Sequence, residues 1–185
     1  MSHETDIVTK RLCLRPLLQA DAPAIAQKIN TYEIAKNLSR VPYPYQLSDA
    51  EDFLSWVKNA NGRSAFRAIC LRSEIENLLG IISYEWSEEK RDSEIGYWLL
   101  PEHWGNGLMS EAVNAMVDHA FNGSDVERIV ACFFDENPAS GRVLLKAGFV
   151  AVGRCKAFSK SRDSEVPVTN MQLQRSVWEG KKAAL

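Results

Sequence analysis

Pro101-Glu102-His103-Trp104-Gly105-Asn106-Gly107-Leu108-Met109-Ser110-Glu111-Ala112 joins a strand-like run, residues 93–100, to a strongly amphipathic helical run, residues 108–121. Two glycines at a strand-to-helix junction let the backbone approach a ligand without Cβ obstruction. The N–H groups of a first helical turn have no partner inside the helix and point outward. Such a turn is an anion site, and a pyrophosphate is a natural occupant. Trp104, Gly105, Asn106, Gly107, Leu108, Met109 and Ser110 are therefore expected to hold a phosphate-bearing ligand. A plain turn before a helix also accounts for two glycines. Two familiar phosphate motifs do not fit. No Gly-Lys-Ser/Thr supplies a lysine for phosphates or a hydroxyl for Mg²⁺. A dinucleotide turn needs a third glycine where Ser110 stands, and it follows the first strand rather than falling in mid-chain.

A second motif lies downstream, Asn137-Pro138-Ala139-Ser140-Gly141-Arg142-Val143-Leu144-Leu145-Lys146-Ala147-Gly148-Phe149, after the strand-like run at residues 128–134. Asn137 reads as an N-cap, and Pro138 falls at the first helical position, where a missing N–H costs nothing. Val143, Leu144 and Ala147 form an apolar face, and Gly148 stands where a helix C-cap is expected. By itself this is a short surface helix.

The two motifs, in this order and spacing, resemble the GNAT superfamily of acyl-CoA N-acyltransferases. Its RimJ/RimL-type branch, the ribosomal-protein N-terminal acetyltransferases, is the closest in pattern. Thr9-Lys10-Arg11-Leu12-Cys13-Leu14-Arg15-Pro16-Leu17 resembles the opening segment of that branch. Ser93-Glu94-Ile95-Gly96-Tyr97-Trp98-Leu99 resembles its central strand, and Arg175-Ser176-Val177-Trp178 its closing one. Trp104 stands where many members carry Gln or Arg. Met109 stands where a small residue is usual, and fits if its side chain faces the core while its N–H faces the phosphate.

The rest of the chain agrees with one α/β (α+β) domain over residues 1–185. Residues 11–17, 65–71, 78–86, 93–100, 128–134, 149–158 and 166–175 read as strands, about seven in all. Charged segments at 72–77 and 87–92 read as hairpin loops. Helices are expected at 21–30, from Ser48 (with Glu51 completing a capping box), from Leu108 and from Pro138. Residues 32–45 read as an aromatic, proline-bearing loop or broken helix. The order of elements gives a mixed, largely antiparallel sheet flanked by helices. The resemblance adds a cleft where two central strands splay apart.

With 185 residues, 45% hydrophobic and 25% charged, the chain is an ordinary globular one. A net charge of −2 argues against a nucleic-acid surface. No apolar run approaches the ~20 residues of a membrane span, and the first six residues lack a signal-peptide pattern. A cytoplasmic protein, monomer or homodimer, is expected. The four cysteines, Cys13, Cys70, Cys132 and Cys155, are widely spaced in strand-like runs and read as buried free thiols. The three histidines show no ligand spacing, so no metal is expected.

The resemblance implies direct acetyl transfer from acetyl-CoA to an amine. Backbone N–H groups of Trp98, Leu99 and Leu100 would hold the pantetheine arm and the thioester oxygen, and Asn137 would bond the pantetheine amides. An α-amino group is already roughly 10–15% neutral at pH 7, a lysine below roughly 0.1%. A carboxylate acting through water then suffices for an N-terminal acceptor. Glu94 is the candidate base, with an exposed strand carboxylate or a salt bridge to Arg91 or Arg128 as the plain alternative. Glu111 is a weaker rival that would serve the helix dipole. Ser140 matches the position that meets the departing thiolate, and it also reads as a helix-surface serine. Tyr97 and Trp98 read as core or cleft wall. Tyr32, Tyr43 and Tyr45, with Trp56, are the candidate acceptor pocket. Three functions stay open: an acetyltransferase for a protein N-terminus, with a ribosomal protein as one such acceptor; one for a small amine such as a polyamine, an amino acid or an antibiotic; and a non-catalytic acyl-CoA-binding module. Clustered acids in the aromatic loop would favour a polyamine, and residues 32–45 contain only Glu33.

Overall fold

The computed structural model describes residues 5–60 and 62–183. Among these, eight strands form one sheet: β1 (Ile7–Val8), β2 (Leu12–Pro16), β3 (Ala65–Leu71), β4 (Glu74–Ser87), β5 (Asp92–Leu99), β6 (Arg128–Phe134), β7 (Val150–Ser159) and β8 (Ser164–Gln174). They lie in the order β1-β2-β3-β4-β5-β6-β8-β7. Every neighbouring pair is antiparallel except β5 and β6, which are parallel. The helices are α1 (Ala22–Ile29), α2 (Tyr32–Ala35), α3 (Leu47–Lys58), α4 (Leu108–Gly123), α5 (Pro138–Ala147) and α6 (Arg175–Ala183).

The two faces of the sheet carry separate cores. The stripe Leu108, Ala112, Val113, Met116, Val117, Ala120 and Phe121 is wholly buried, so α4 packs on one face with Leu144 and Ala147 of α5. On the other face Ile25, Ile29, Ile34, Ala50 and Leu54 bring α1–α3 against Ala68, Ile81 and Trp98. Arg15 of β2 grips Asp21 with two bonds of 2.9 and 2.8 Å, and the Leu18 N–H donates to the same carboxylate at 2.8 Å. This nearly buried pair fixes the start of α1 on the sheet.

Several expectations need correction. The sheet has eight strands rather than seven, because the two-residue β1 is too short to show a period. The loop expected at 72–77 is mostly strand: β4 begins at Glu74, paired with Leu71 beyond two register shifts. The aromatic segment holds the one-turn α2. Helix α3 starts at Leu47, not after Ser48, because the Asp49 carboxylate accepts from the Gln46 N–H at 2.8 Å. The last strand ends at Gln174, and Arg175 opens α6. Cys13 and Cys70 are buried, whereas Cys132 and Cys155 are exposed.

Candidate active site

The parallel pair β5–β6 is joined only at Ser93↔Ile129 and Glu94↔Val130. Beyond Glu94 the two strands part, while β6 stays paired with β8 as far as Phe134. A cleft of about 910 Å³ occupies the gap and extends to both faces of the sheet. Side-chain alternation sorts its walls. Ile95, Tyr97 and Leu99 face α4 and α5, whereas Glu94, Gly96 and Trp98 face α1–α3.

The glycine turn lies at one end of this cleft. Gly105 and Gly107 have φ of +77° and +74°, and Gly107 is the N-cap of α4. Their first requirement is therefore conformational, since residues with a Cβ are strained there. Nothing lies within 4 Å of a Cβ built on Gly105, so the space above the turn is open. A glycine N-cap offers no side-chain acceptor. The N–H groups of Leu108, Met109 and Ser110 have no partner among the described residues, while Glu111 N–H donates back to Gly107 O. Met109 packs its side chain against the core, as its place in the turn demanded. The Asn106 side lies outside the cleft wall, and its carbonyl accepts from Arg11 Nη1 at 2.8 Å. Arg11 also bonds Glu111 at 2.7 Å, and the Thr9 hydroxyl bonds it at 2.6 Å. Burial pushes the Glu111 carboxyl up, but these bonds outweigh it and hold it below the usual carboxylate range. Glu111 is thus a clasp between the β1–β2 turn and α4. Trp104 lines the cleft and donates its indole N–H to Leu99 O at 2.7 Å, tying the turn to the end of β5.

Helix α5 closes the same side. The Asn137 side chain caps it through Ser140 N–H at 3.3 Å, and Gly148 ends it with φ of +104°. Gly141 seats the helix: a Cβ there would fall 2.6 Å from the Phe133 ring. Asn137 and Ser140 consequently face the cleft.

Glu94 stands across the gap, on the face of α1–α3, and makes no hydrogen bond or ion pair among the described residues. The pairing to Arg128 offered by the sequence goes instead to Asp92, at 2.8 Å. Glu94 lies directly across from Glu85, whose carboxylate holds Arg40 through bonds of 3.0 and 2.6 Å.

A family model described as an acetyltransferase (GNAT) domain matches residues 11–150. The chain belongs to the GNAT acetyltransferases. An uncharacterized N-acetyltransferase, YoaA of Bacillus subtilis, is 32% identical over 151 residues, covering 78% of this chain and 82% of the relative. The ribosomal-protein-serine acetyltransferase of Escherichia coli is 35% identical over 82 residues, 44% of this chain and 46% of that one. The solved structure of a spermidine N-acetyltransferase from Vibrio cholerae, in complex with CoA and spermine, superposes with a TM-score of 0.77 at 22% identity, covering 92% and 99% of the two chains. GNAT enzymes use acetyl-CoA and an amine acceptor. The residues present fit that cosubstrate: three unpaired N–H groups in an open glycine turn, then a cleft leading to Ser140.

The GNAT cleft differs from the expected one in four places. The Leu100 N–H donates to Leu79 O at 2.9 Å and is spent on β4. Strand alternation turns the Trp98 N–H the same way and leaves those of Tyr97 and Leu99 facing the gap. The N–H groups left facing the gap are thus those of Tyr97 and Leu99, not those of Trp98 and Leu100. Tyr32 and Tyr43 are exposed and meet edge to face with ring centroids 5.4 Å apart, outside the cleft. Tyr45 does line it but is buried, which, with the charges of Asp49 and Asp52, pushes its hydroxyl up to about 12. Trp56, expected with them, does line the cleft and is joined by Phe53 and Phe66, with Trp56 and Phe66 centroids 5.1 Å apart.

Sequence reasoning missed three acids on the α1–α3 side of the cleft. Asp49, Asp52 and Glu85 line it together with the expected Glu94, brought there from α3, β4 and β5. It also missed the Tyr97 phenol, which lies 2.9 Å from Ser140 Oγ. Cys132 opens onto the cleft, but burial by the walls, then the charges of Glu94 and Cys155, push its thiol up to about 11.

Proposed function

We propose that this GNAT enzyme acetylates the N-terminal α-amino group of a protein, with a ribosomal protein as the substrate class. The observation that carries the proposal is the split between β5 and β6, which separates two chemistries. The α4 turn, Asn137 and Ser140 lie toward one face of the sheet, and Glu94 opens toward the other. When bound, acetyl-CoA supplies an activated carbonyl and a thiolate leaving group. The Leu108–Ser110 amides would hold its pyrophosphate, and the Tyr97 and Leu99 N–H groups its pantetheine arm and thioester oxygen. Glu94, which makes no ion pair among the described residues, takes the proton that the amine loses, through water. Ser140 gives the leaving sulfur a hydrogen bond. The substrate class rests on the partial likeness to the ribosomal-protein-serine acetyltransferase and on the modest demand an α-amine places on its base.

A second reading has its own support. Four carboxylates line the acceptor side against Arg40 and Lys160, a balance that suits a polyamine. Acetyl-CoA-dependent release of free thiol, measured across N-terminal peptides and small amines, decides between them. Turnover with one peptide class and none with spermine or spermidine is expected; the reverse pattern overturns the protein acceptor.

A further inference from the structure

Ser140 Oγ has one hydrogen-bond partner among the described residues, the phenol of Tyr97 at 2.9 Å. The same phenol reaches the Ser140 carbonyl at 3.2 Å. Asn137, the neighbour that the helix cap supplies, bonds only the Ser140 N–H. The contact is built into the fold from both sides. Alternation along β5 turns Tyr97 toward α5, and Gly141 lets the first turn of α5 sit down on Phe133, beside Ser140.

Two proton arrangements are open to this pair of hydroxyls. In one, Tyr97 donates to the Ser140 carbonyl and Ser140 donates to Tyr97, and the serine proton is turned away from any ligand. In the other, Tyr97 donates to Ser140 Oγ, which leaves the serine proton free to point into the cleft. An anion in the cleft draws the serine proton out of the first arrangement, and the phenol then donates to Oγ at 2.9 Å in preference to the carbonyl at 3.2 Å.

We propose that Tyr97 is a positioning residue that holds the Ser140 hydroxyl proton toward the departing sulfur. This rests on the acetyl-CoA reading given above. The phenol does not itself lose a proton. Burial pushes it up to about 12, more than three units above a thiol near about 8.5. Transfer from Tyr97 through Ser140 to a thiolate is therefore uphill. Both hydroxyls keep their protons while the C–S bond breaks and the electron pair settles on sulfur. The proton that later neutralises the thiolate is the one released by the amine as the C–N bond forms.

The test uses CoA and desulfo-CoA, which lacks the sulfur, and measures dissociation constants by calorimetry from neutral pH to above the thiol value. A hydrogen bond to a charged group is worth on the order of tenfold in an equilibrium. In the wild type the preference for CoA over desulfo-CoA should grow about that much as the thiol ionises. Tyr97→Phe and Ser140→Ala should each lose that pH-dependent preference, and the double variant should lose no more than either. Desulfo-CoA affinity should stay at the wild-type value in all three, which shows that the cleft is intact. In turnover, kcat should fall by a similar factor in all three with KM for acetyl-CoA unchanged. A wild-type preference retained by Tyr97→Phe but lost by Ser140→Ala overturns the role of Tyr97, as do losses that multiply in the double variant. A wild type that binds neither compound removes the acetyl-CoA reading, and this inference with it.

Discussion

Gly107→Ala isolates the proposed phosphate turn from everything else in the molecule. Gly107 has φ of +74° and is the N-cap of α4. The nearest atom to an added Cβ is the tip of Arg11, at 3.6 Å, an ordinary contact. The cost is thus backbone conformation alone, about 1–2 kcal/mol for a left-handed non-glycine residue. A domain of this size has roughly 5–15 kcal/mol to lose, so the variant stays folded. It can keep the turn and lose that stability, or relax the turn and misdirect the Leu108, Met109 and Ser110 amides. Relaxation recovers up to the same 1–2 kcal/mol at the expense of the ligand, which corresponds to about 5–30-fold in affinity. Denaturant unfolding and acetyl-CoA titration, run on the same preparation, read the two together. Gly123→Ala is the control: its φ is not positive and nothing lies within 4 Å of its Cβ position. It should leave both quantities within about 1 kcal/mol of wild type, if anything slightly more stable. Gly107→Ala with both stability and acetyl-CoA affinity unchanged would refute the argument.

Other consequences concern the frame and the base. Asp21→Asn leaves Arg15 nearly buried without its carboxylate and should cost about 3–5 kcal/mol by chemical unfolding. Burial pushes the Asp21 carboxyl up, but Arg15 and the Leu18 N–H outweigh it and hold it low. A depressed folded value stabilises above the unfolded one, near about 3.9, and is lost as pH falls through the folded value. The wild-type advantage over Asp21→Asn should therefore be full at neutral pH and shrink only in acid. Gly141→Ala drives a methyl into the Phe133 ring and should cost about 1–3 kcal/mol, seen as a lowered Tm. Glu94→Gln should slow turnover of an N-terminal peptide at pH 7. That deficit should largely vanish near pH 9, where an α-amine of pKa about 7.7–8.0 is already neutral. A deficit constant across that range would assign Glu94 to binding instead.

Much of this architecture was legible because it depends on local chemistry. The stripe from Leu108 to Phe121, the Asn137–Pro138 start and the Gly148 stop each name their own helix. The two glycines before Leu108 announce a left-handed turn. Features decided by pairing between distant segments were not legible. Nothing local shows that the Leu100 N–H belongs to Leu79, or that the Tyr97 N–H rather than the Trp98 N–H faces the gap; both follow from the register of β4 against β5. The acids on the α1–α3 side of the cleft are scattered from Asp49 to Glu94 and converge only when α3 lies over the sheet. Conversely, Tyr32, Tyr43 and Tyr45 are near one another in sequence, yet only Tyr45 lines the cleft. The Gln46–Asp49 cap displaced the Ser48 frame because two carboxylate-bearing frames competed within three residues, and local pattern does not rank them.

The central claim is that acetyl-CoA lies in the gap between β5 and β6 with its pyrophosphate on the turn before α4. Amide hydrogen exchange, followed residue by residue with and without acetyl-CoA, tests it most directly. The account predicts that the Leu108, Met109 and Ser110 amides, together with those of Tyr97 and Leu99, gain protection, while the Leu100 amide, already bonded to Leu79, changes little. Protection confined to other segments, with those five amides exchanging at their ligand-free rates, would contradict it.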